Sequence, residues 1–151
     1  MDDGELTRLV AWSQEMRDVH TRLRAALAAA RETYELADLD DLLVYCHGFC
    51  AALTGHHEGE DRLLFPAVAA AHPELAGTLD KLRQDHSMIG YLLGALQAAV
   101  DRRDPPDELQ RHLEGVAAIM ESHFRFEERQ LRTVLETLSL DATPAAVFGP
   151  L

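Results

Sequence analysis

The chain has 151 residues, enough for one domain with a real hydrophobic core and too many for a disulfide-stapled miniature protein. Twenty-six acidic residues against 14 Lys and Arg leave a net charge of −12. No basic face is then broad enough to neutralise a run of phosphates, which excludes nucleic acid as a partner. Hydrophobic residues make up 47%, yet no stretch approaches the roughly 18 apolar residues of a membrane span, so the expectation is a water-soluble chain with no membrane partner.

The opening residues, Met1-Asp2-Asp3-Gly4-Glu5, are acidic where a secretory leader would be basic. Cys46 and Cys50 lie one helical turn apart and build no disulfide framework, so both are expected to stay reduced in a cytoplasmic protein.

Strand signals are nearly absent, while Ala, Leu, Glu and Arg recur throughout, and the fold class expected is all-α. The first helix is predicted over about 5–35, its stripe running Leu6, Leu9, Ser13, Met16, His20, Leu23, Leu27 and Ala30. The second, about 39–71, carries Leu39, Leu42, Leu43, Cys46, Phe49, Cys50, Leu53, His56, Glu60, Leu63, Leu64 and Ala67 inward. Pro66 is expected to kink it just beyond His56 and Glu60. The third, about 74–101, follows Pro73 and turns Leu79, Leu82, His86, Ile89, Leu93 and Leu96 inward. The fourth, about 107–138, does so with Leu109, Leu113, Val116, Ile119, Met120, His123, Phe126, Glu127, Leu131, Val134 and Leu138, and Asp107 is its expected N-cap. Short connections favour antiparallel neighbours and an up-down-up-down four-helix bundle over residues 1–138. Residues 139–151, with two prolines and a glycine, are expected to pack loosely or extend as a C-terminal arm.

Four of the eight histidines fall on these stripes, each close to the midpoint of its helix. In an up-down bundle the midpoints share one layer, so His20, His56, His86 and His123 should converge. Glu60 and Glu127 follow His56 and His123 at i+4, on the same helix face and about 6 Å away. Four imidazoles and two carboxylates in a core point to metal, because buried unpaired glutamates are costly and a cation removes that cost. Two ions bridged by Glu60 and Glu127 use all six groups. Nitrogen and oxygen donors without thiolate suit iron or manganese, with zinc and copper chemically open.

The segments His56-His57-Glu58-Gly59-Glu60-Asp61-Arg62-Leu63-Leu64-Phe65-Pro66 and His123-Phe124-Arg125-Phe126-Glu127-Glu128, with His20 and His86 between leucine stripes, resemble the hemerythrin-like (HHE cation-binding) domain family over roughly residues 5–138. The resemblance implies a bundle holding two non-haem iron ions: His20 and His56 on one, His86 and His123 on the other, Glu60 and Glu127 bridging. It implies chemistry with a small-molecule oxidant (oxygen, hydrogen peroxide or nitric oxide), with catalase-like peroxide disproportionation if the protein is an enzyme. The chain departs from the oxygen-carrying pattern at Gly90, where that pattern has a further histidine, and closes with His-x3-Glu rather than His-x4-Asp. An open coordination position follows. A ferritin-like centre would need Glu-xx-His pairs, and the chain has none.

His57 is expected to flank the site or orient a ligand, and Tyr91 to pack rather than coordinate. Trp12 is expected to lid the core, and Tyr34 and Tyr45 to sit at bundle ends. His47 is expected to face outward, His72 to be solvated, and His112 to lie too far away. A monomer or weak homodimer is the expected state. The alternatives are a non-catalytic iron storage or iron-sensing module, and a structural bundle holding a single zinc.

Overall fold

The computed structural model describes residues 11–36 and 39–149, with the backbone alone for 33–36. Leu6, Leu9 and the acidic start lie outside the described residues, as does the side chain of Tyr34. The elements are α1 (Trp12–Leu36), α2 (Leu39–Gly59), one π-helical turn (Glu60–Leu64), α3 (Phe65–Ala71), a 3-10 turn (Pro73–Leu75), α4 (Ala76–Asp101), α5 (Pro106–Glu136) and α6 (Pro144–Phe148). No strand occurs among the described residues.

Helix α1 packs on α2 and α5, and α4 packs on α5 and α2, so the four long helices form a ring around one core. That core is built mainly from the predicted stripes, with Leu39, Leu63, Ile119, Phe126, Val134 and Leu138 only half-buried at its edge. Met16, Leu23, Leu53, Leu64, Leu79, Leu82, Ile89, Leu96, Leu113, Val116 and Leu131 are fully buried. Phe124 and Leu135 join them, widening the apolar face of α5 beyond the narrow predicted stripe. Trp12 is buried and tilts against Phe148, ring centroids 6.0 Å apart.

One helix start differs from expectation. Helix α5 begins at Pro106, with Pro105 and not Asp107 as its N-cap. Proline suits the first helical position because that position has no intrahelical use for an N–H. Helix α4 ends at Asp101, as expected, and Arg103 beyond it adopts φ 56, with Arg103 N–H bonding to Val100 O and Asp104 N–H to Ala99 O, both 3.0 Å. This Schellman arrangement satisfies the last carbonyls without glycine, and the Arg103 guanidinium reaches Asp40 at 2.6 Å.

Two larger corrections bear on function. The break in the second long helix is not a kink beyond the site but a π turn within it, from Glu60 to Leu64, after which α3 starts with Pro66 in its first turn. Pro66 has no N–H to offer the Arg62 carbonyl, and Phe65 N–H instead reaches back to Glu60 O. The C-terminal segment, expected as a loose arm, forms α6, whose Val147 and Phe148 are fully buried against the bundle.

Candidate metal centre

Each long helix delivers its polar residues to one buried layer. His20 comes from α1, His56 from α2, Glu60 from the π turn, His86 from α4, and His123 and Glu127 from α5. All six are buried, His86 at 6% exposure being the most accessible. The structure also turns His57 inward, at 6%. Glu60 stands four residues after His56 and three after His57, so one carboxylate sits beneath both rings.

Two overlapping groups of ligand atoms result. In one, an atom each from His57, Glu60, His86 and His123 lie within 4.8 Å of one another; in the other, atoms of His20, His56, Glu60 and Glu127 do the same. Glu60 belongs to both, its Oε1 lying 3.3 Å from His56 Nε2 and 3.4 Å from His86 Nε2. Glu127 spans the layer differently. Its Oε1 faces His20 Nε2 at 3.3 Å, while its Oε2 faces His123 Nε2 at 3.3 Å and His86 Nε2 at 3.8 Å. The His20/His56 and His86/His123 pairings expected from the sequence are the pairings in space, with His57 added to the second.

The rings point Nε2 inward because their outer nitrogens are engaged. His86 Nδ1 donates to Asp61 at 2.8 Å, and His123 Nδ1 to Asp85 at 3.1 Å. His56 Nδ1 donates to the Phe148 carbonyl at 3.0 Å. His20 Nδ1 lies 3.7 Å from Glu128, which Arg24 holds at 3.2 Å. Such outer partners select the tautomer and aim the ring. Packing adds to this: His20 stacks on Phe124 and His57 on His86, each with centroids 3.8 Å apart.

Electrostatics in the metal-free layer shows what the geometry lacks. Burial pushes His56 down to about 3 and holds His57 well below its ordinary value, so both are neutral. Burial would also lower His86, but Asp61, Glu127 and Glu60 outweigh it and push that ring up to about 11. Burial and the facing Glu127 raise Glu60 far above the carboxylate range. Burial acts the same way on Glu127, yet contacts from Glu60, His123, His20 and His86 prevail and hold it ionised. Even with a protonated His86 beside them, only one of the two carboxylates in this dry layer stays ionised when no metal is bound.

The polar accounting leads to the same point. Nine buried side-chain nitrogen and oxygen atoms among the described residues have no hydrogen-bond partner, and eight of them belong to His20, His56, His57, Glu60 and Glu127. Neutral His56 gives its one N–H to Phe148, so its Nε2 lone pair confronts a Glu60 oxygen, an arrangement of acceptors that a cation reconciles. The buried donor set of imidazoles and carboxylates fits a metal site.

His57 is the member that sequence reasoning placed only at the edge of the site. Its signal was present in the i+3 spacing to Glu60, but a single-face stripe admits one of two adjacent residues and chose His56. Tyr91 is 78% exposed, so it neither packs nor reaches the layer. Tyr45 is 48% exposed. His47 is exposed, and His72 and His112 are half-buried and stand apart from both ligand groups. Two grooves end on the site. One of about 200 Å³ between α2 and α4 is lined by His57, Asp61, His86 and Gly90, and one of about 300 Å³ between α4 and α5 reaches Asp85 and His123. No described helix is long and apolar enough to cross a membrane.

No match was found among curated proteins or among solved structures. The family model of the Hemerythrin HHE cation binding domain matches residues 13–135, which span all four long helices and every residue of the buried layer. The chain belongs to the hemerythrin HHE cation-binding domain family.

Proposed function

We propose that this protein is a non-haem di-iron protein of up-down-up-down four-helix form, acting in the cytoplasm on a small oxidant: oxygen, hydrogen peroxide or nitric oxide. The observation that carries the metal pair is the convergence of eight unpartnered buried polar atoms on one layer. His20 and His56 would hold one ion, His57, His86 and His123 the other, and Glu60 and Glu127 would span them. Six N/O-donor residues without thiolate, plus His57, support iron over softer metals. Bound as a pair, the ions would supply one-electron redox chemistry toward small oxidants.

The chain's own residues do the rest. Phe65, Phe124, Leu53 and Leu64, all fully buried, keep bulk water from the layer, which strengthens every charge interaction inside it. The α2–α4 groove admits molecules of a few atoms to the His57–His86 edge. Asp61 and Asp85, with side chains 41% and 24% exposed, accept from His86 and His123 and hold both rings in place at the edge of the layer. The reaction to test is disproportionation, in which two molecules of hydrogen peroxide give two of water and one of oxygen. No external reductant is needed for that stoichiometry.

Elemental analysis of protein from iron-replete cells, with an optical spectrum and a peroxide-consumption assay, tests the reading. Two irons per chain with ligand-to-iron charge-transfer bands are expected, and His86→Ala and Glu127→Ala each lose at least one iron. A colourless protein with one zinc or no metal overturns the di-iron centre; two irons without turnover would place the protein among iron-storage or iron-sensing modules.

A further inference from the structure

The C-terminal helix α6 lies outside the stretch matched by the family, residues 13–135, yet it touches the metal layer directly. The Phe148 carbonyl accepts from His56 Nδ1 at 3.0 Å, and the Phe148 ring stacks over His56 with centroids 5.7 Å apart. Val147 and Phe148 are both fully buried. A carbonyl can only accept, so this contact places the single imidazole proton on Nδ1 and leaves the Nε2 lone pair facing Glu60 and His20's side of the layer.

The seat for α6 is shaped by two glycines. A Cβ built on Gly59 would lie 2.2 Å from the Val147 carbonyl oxygen, which no packing tolerates. Gly149 adopts φ 90, and a Cβ there would lie 3.1 Å from the His56 backbone nitrogen. Glycine inside a helix is destabilising relative to alanine, so its place there needs a packing reason. By contrast, Gly48 in the same helix α2 faces open space. The Thr143 hydroxyl caps α6 by accepting from Ala146 N–H at 3.1 Å, and Trp12 of α1 closes over Phe148.

We propose that α6 is a built-in positioning element of the metal centre: the Phe148 carbonyl fixes the His56 tautomer, and the helix closes the His20–His56 side, so that filling that ion position depends on α6 being seated. The proposal rests on the two-ion reading above. Phe148 acts through His56 and is a positioning residue. The grooves at His57, His86 and His123 approach the layer from the other side.

The full-length protein, loaded with ferrous iron under anaerobic conditions and desalted, tests this through ions per chain. Gly59→Ala and Phe148→Asp each dislodge α6, the first by steric overlap and the second by burying a charge. Each is expected to bind one ion where the parent binds two, while Gly48→Ala keeps two. A readout independent of iron is the ¹H–¹⁵N spectrum of the metal-free proteins. The protected Nδ1–H signal of His56 is expected in the parent and in Gly48→Ala, and absent from both disruptive variants. Two ions retained in either disruptive variant overturn the proposal. Fewer than two ions in the parent itself would instead overturn the two-ion reading, so the two failures are distinguishable.

Discussion

Stripping the metal should lower the stability of this protein by an amount the structure allows to be bounded. Eight buried polar atoms of the central layer have no hydrogen-bond partner. A buried polar group left unsatisfied costs about 1–3 kcal/mol, and at the lower end eight such atoms sum to roughly 8 kcal/mol. That is comparable to the whole stability of an ordinary domain, about 5–15 kcal/mol. Protons on Glu60 and His86 that face Glu127 recover part of this cost, which keeps the sum at the lower end of the range. At about 2–4 °C per kcal/mol for a chain of this size, the melting temperature should fall by roughly 15–30 °C. Thermal melts followed by far-UV circular dichroism on iron-loaded, chelator-dialysed and ferrous-reconstituted protein measure this, and reconstitution should restore the loaded value. A metal-free melt within about 3 °C of the loaded one would show that the layer satisfies itself without a cation, and the case for a metal pair would fail.

Three further outcomes follow from particular side chains. His57→Ala should lose one ion per chain, whereas His47→Ala, an exposed histidine of the same helix whose Nδ1 lies 3.3 Å from Gln97, should lose none; equal metal content in both would remove His57 from the ligand set. Phe124→Ala empties a fully buried site stacked on His20 and should destabilise the loaded protein by about 3–5 kcal/mol, read as a shift in its denaturant midpoint, with less than 1 kcal/mol contradicting the packing described. Burial pushes Cys46 up to about 11 and, with Cys46 beside it, Cys50 up to about 12. Because the thiolate is the nucleophile, alkylation of the folded protein at pH 8 should run on the order of 100-fold slower than that of a free cysteine and accelerate as pH rises toward those values. Rapid labelling of Cys46 at neutral pH would instead mark it as a reactive thiol.

The helical period of the sequence determined most of the bundle. A 3.6-residue repeat of Leu, Met and Phe can satisfy its apolar stripe only by packing that stripe inward, and His20, His56, His86, His123, Glu60 and Glu127 sit on it. Mid-helix placement on four helices of similar length brought them to one layer, because helices joined by short connections align at their middles. Tertiary structure decided what periodicity cannot encode. Whether His57 faces in beside His56 depends on the rotation of α2 and on the wide π turn that Pro66 enforces, not on a stripe that admits one residue per turn. Nothing along their own helices marks Asp61 or Asp85 as partners of the layer, yet each reaches across to a histidine on another helix, Asp61 to His86 and Asp85 to His123. The C-terminal residues carry too short an apolar pattern to declare a docking site. Only the cradle formed by Gly59 and Trp12 gives Val147 and Phe148 a place to be buried, and with it a carbonyl for His56. Faces are local properties of the chain, whereas partners across helices depend on rotation and crossing angle, which emerge only when the whole core is packed.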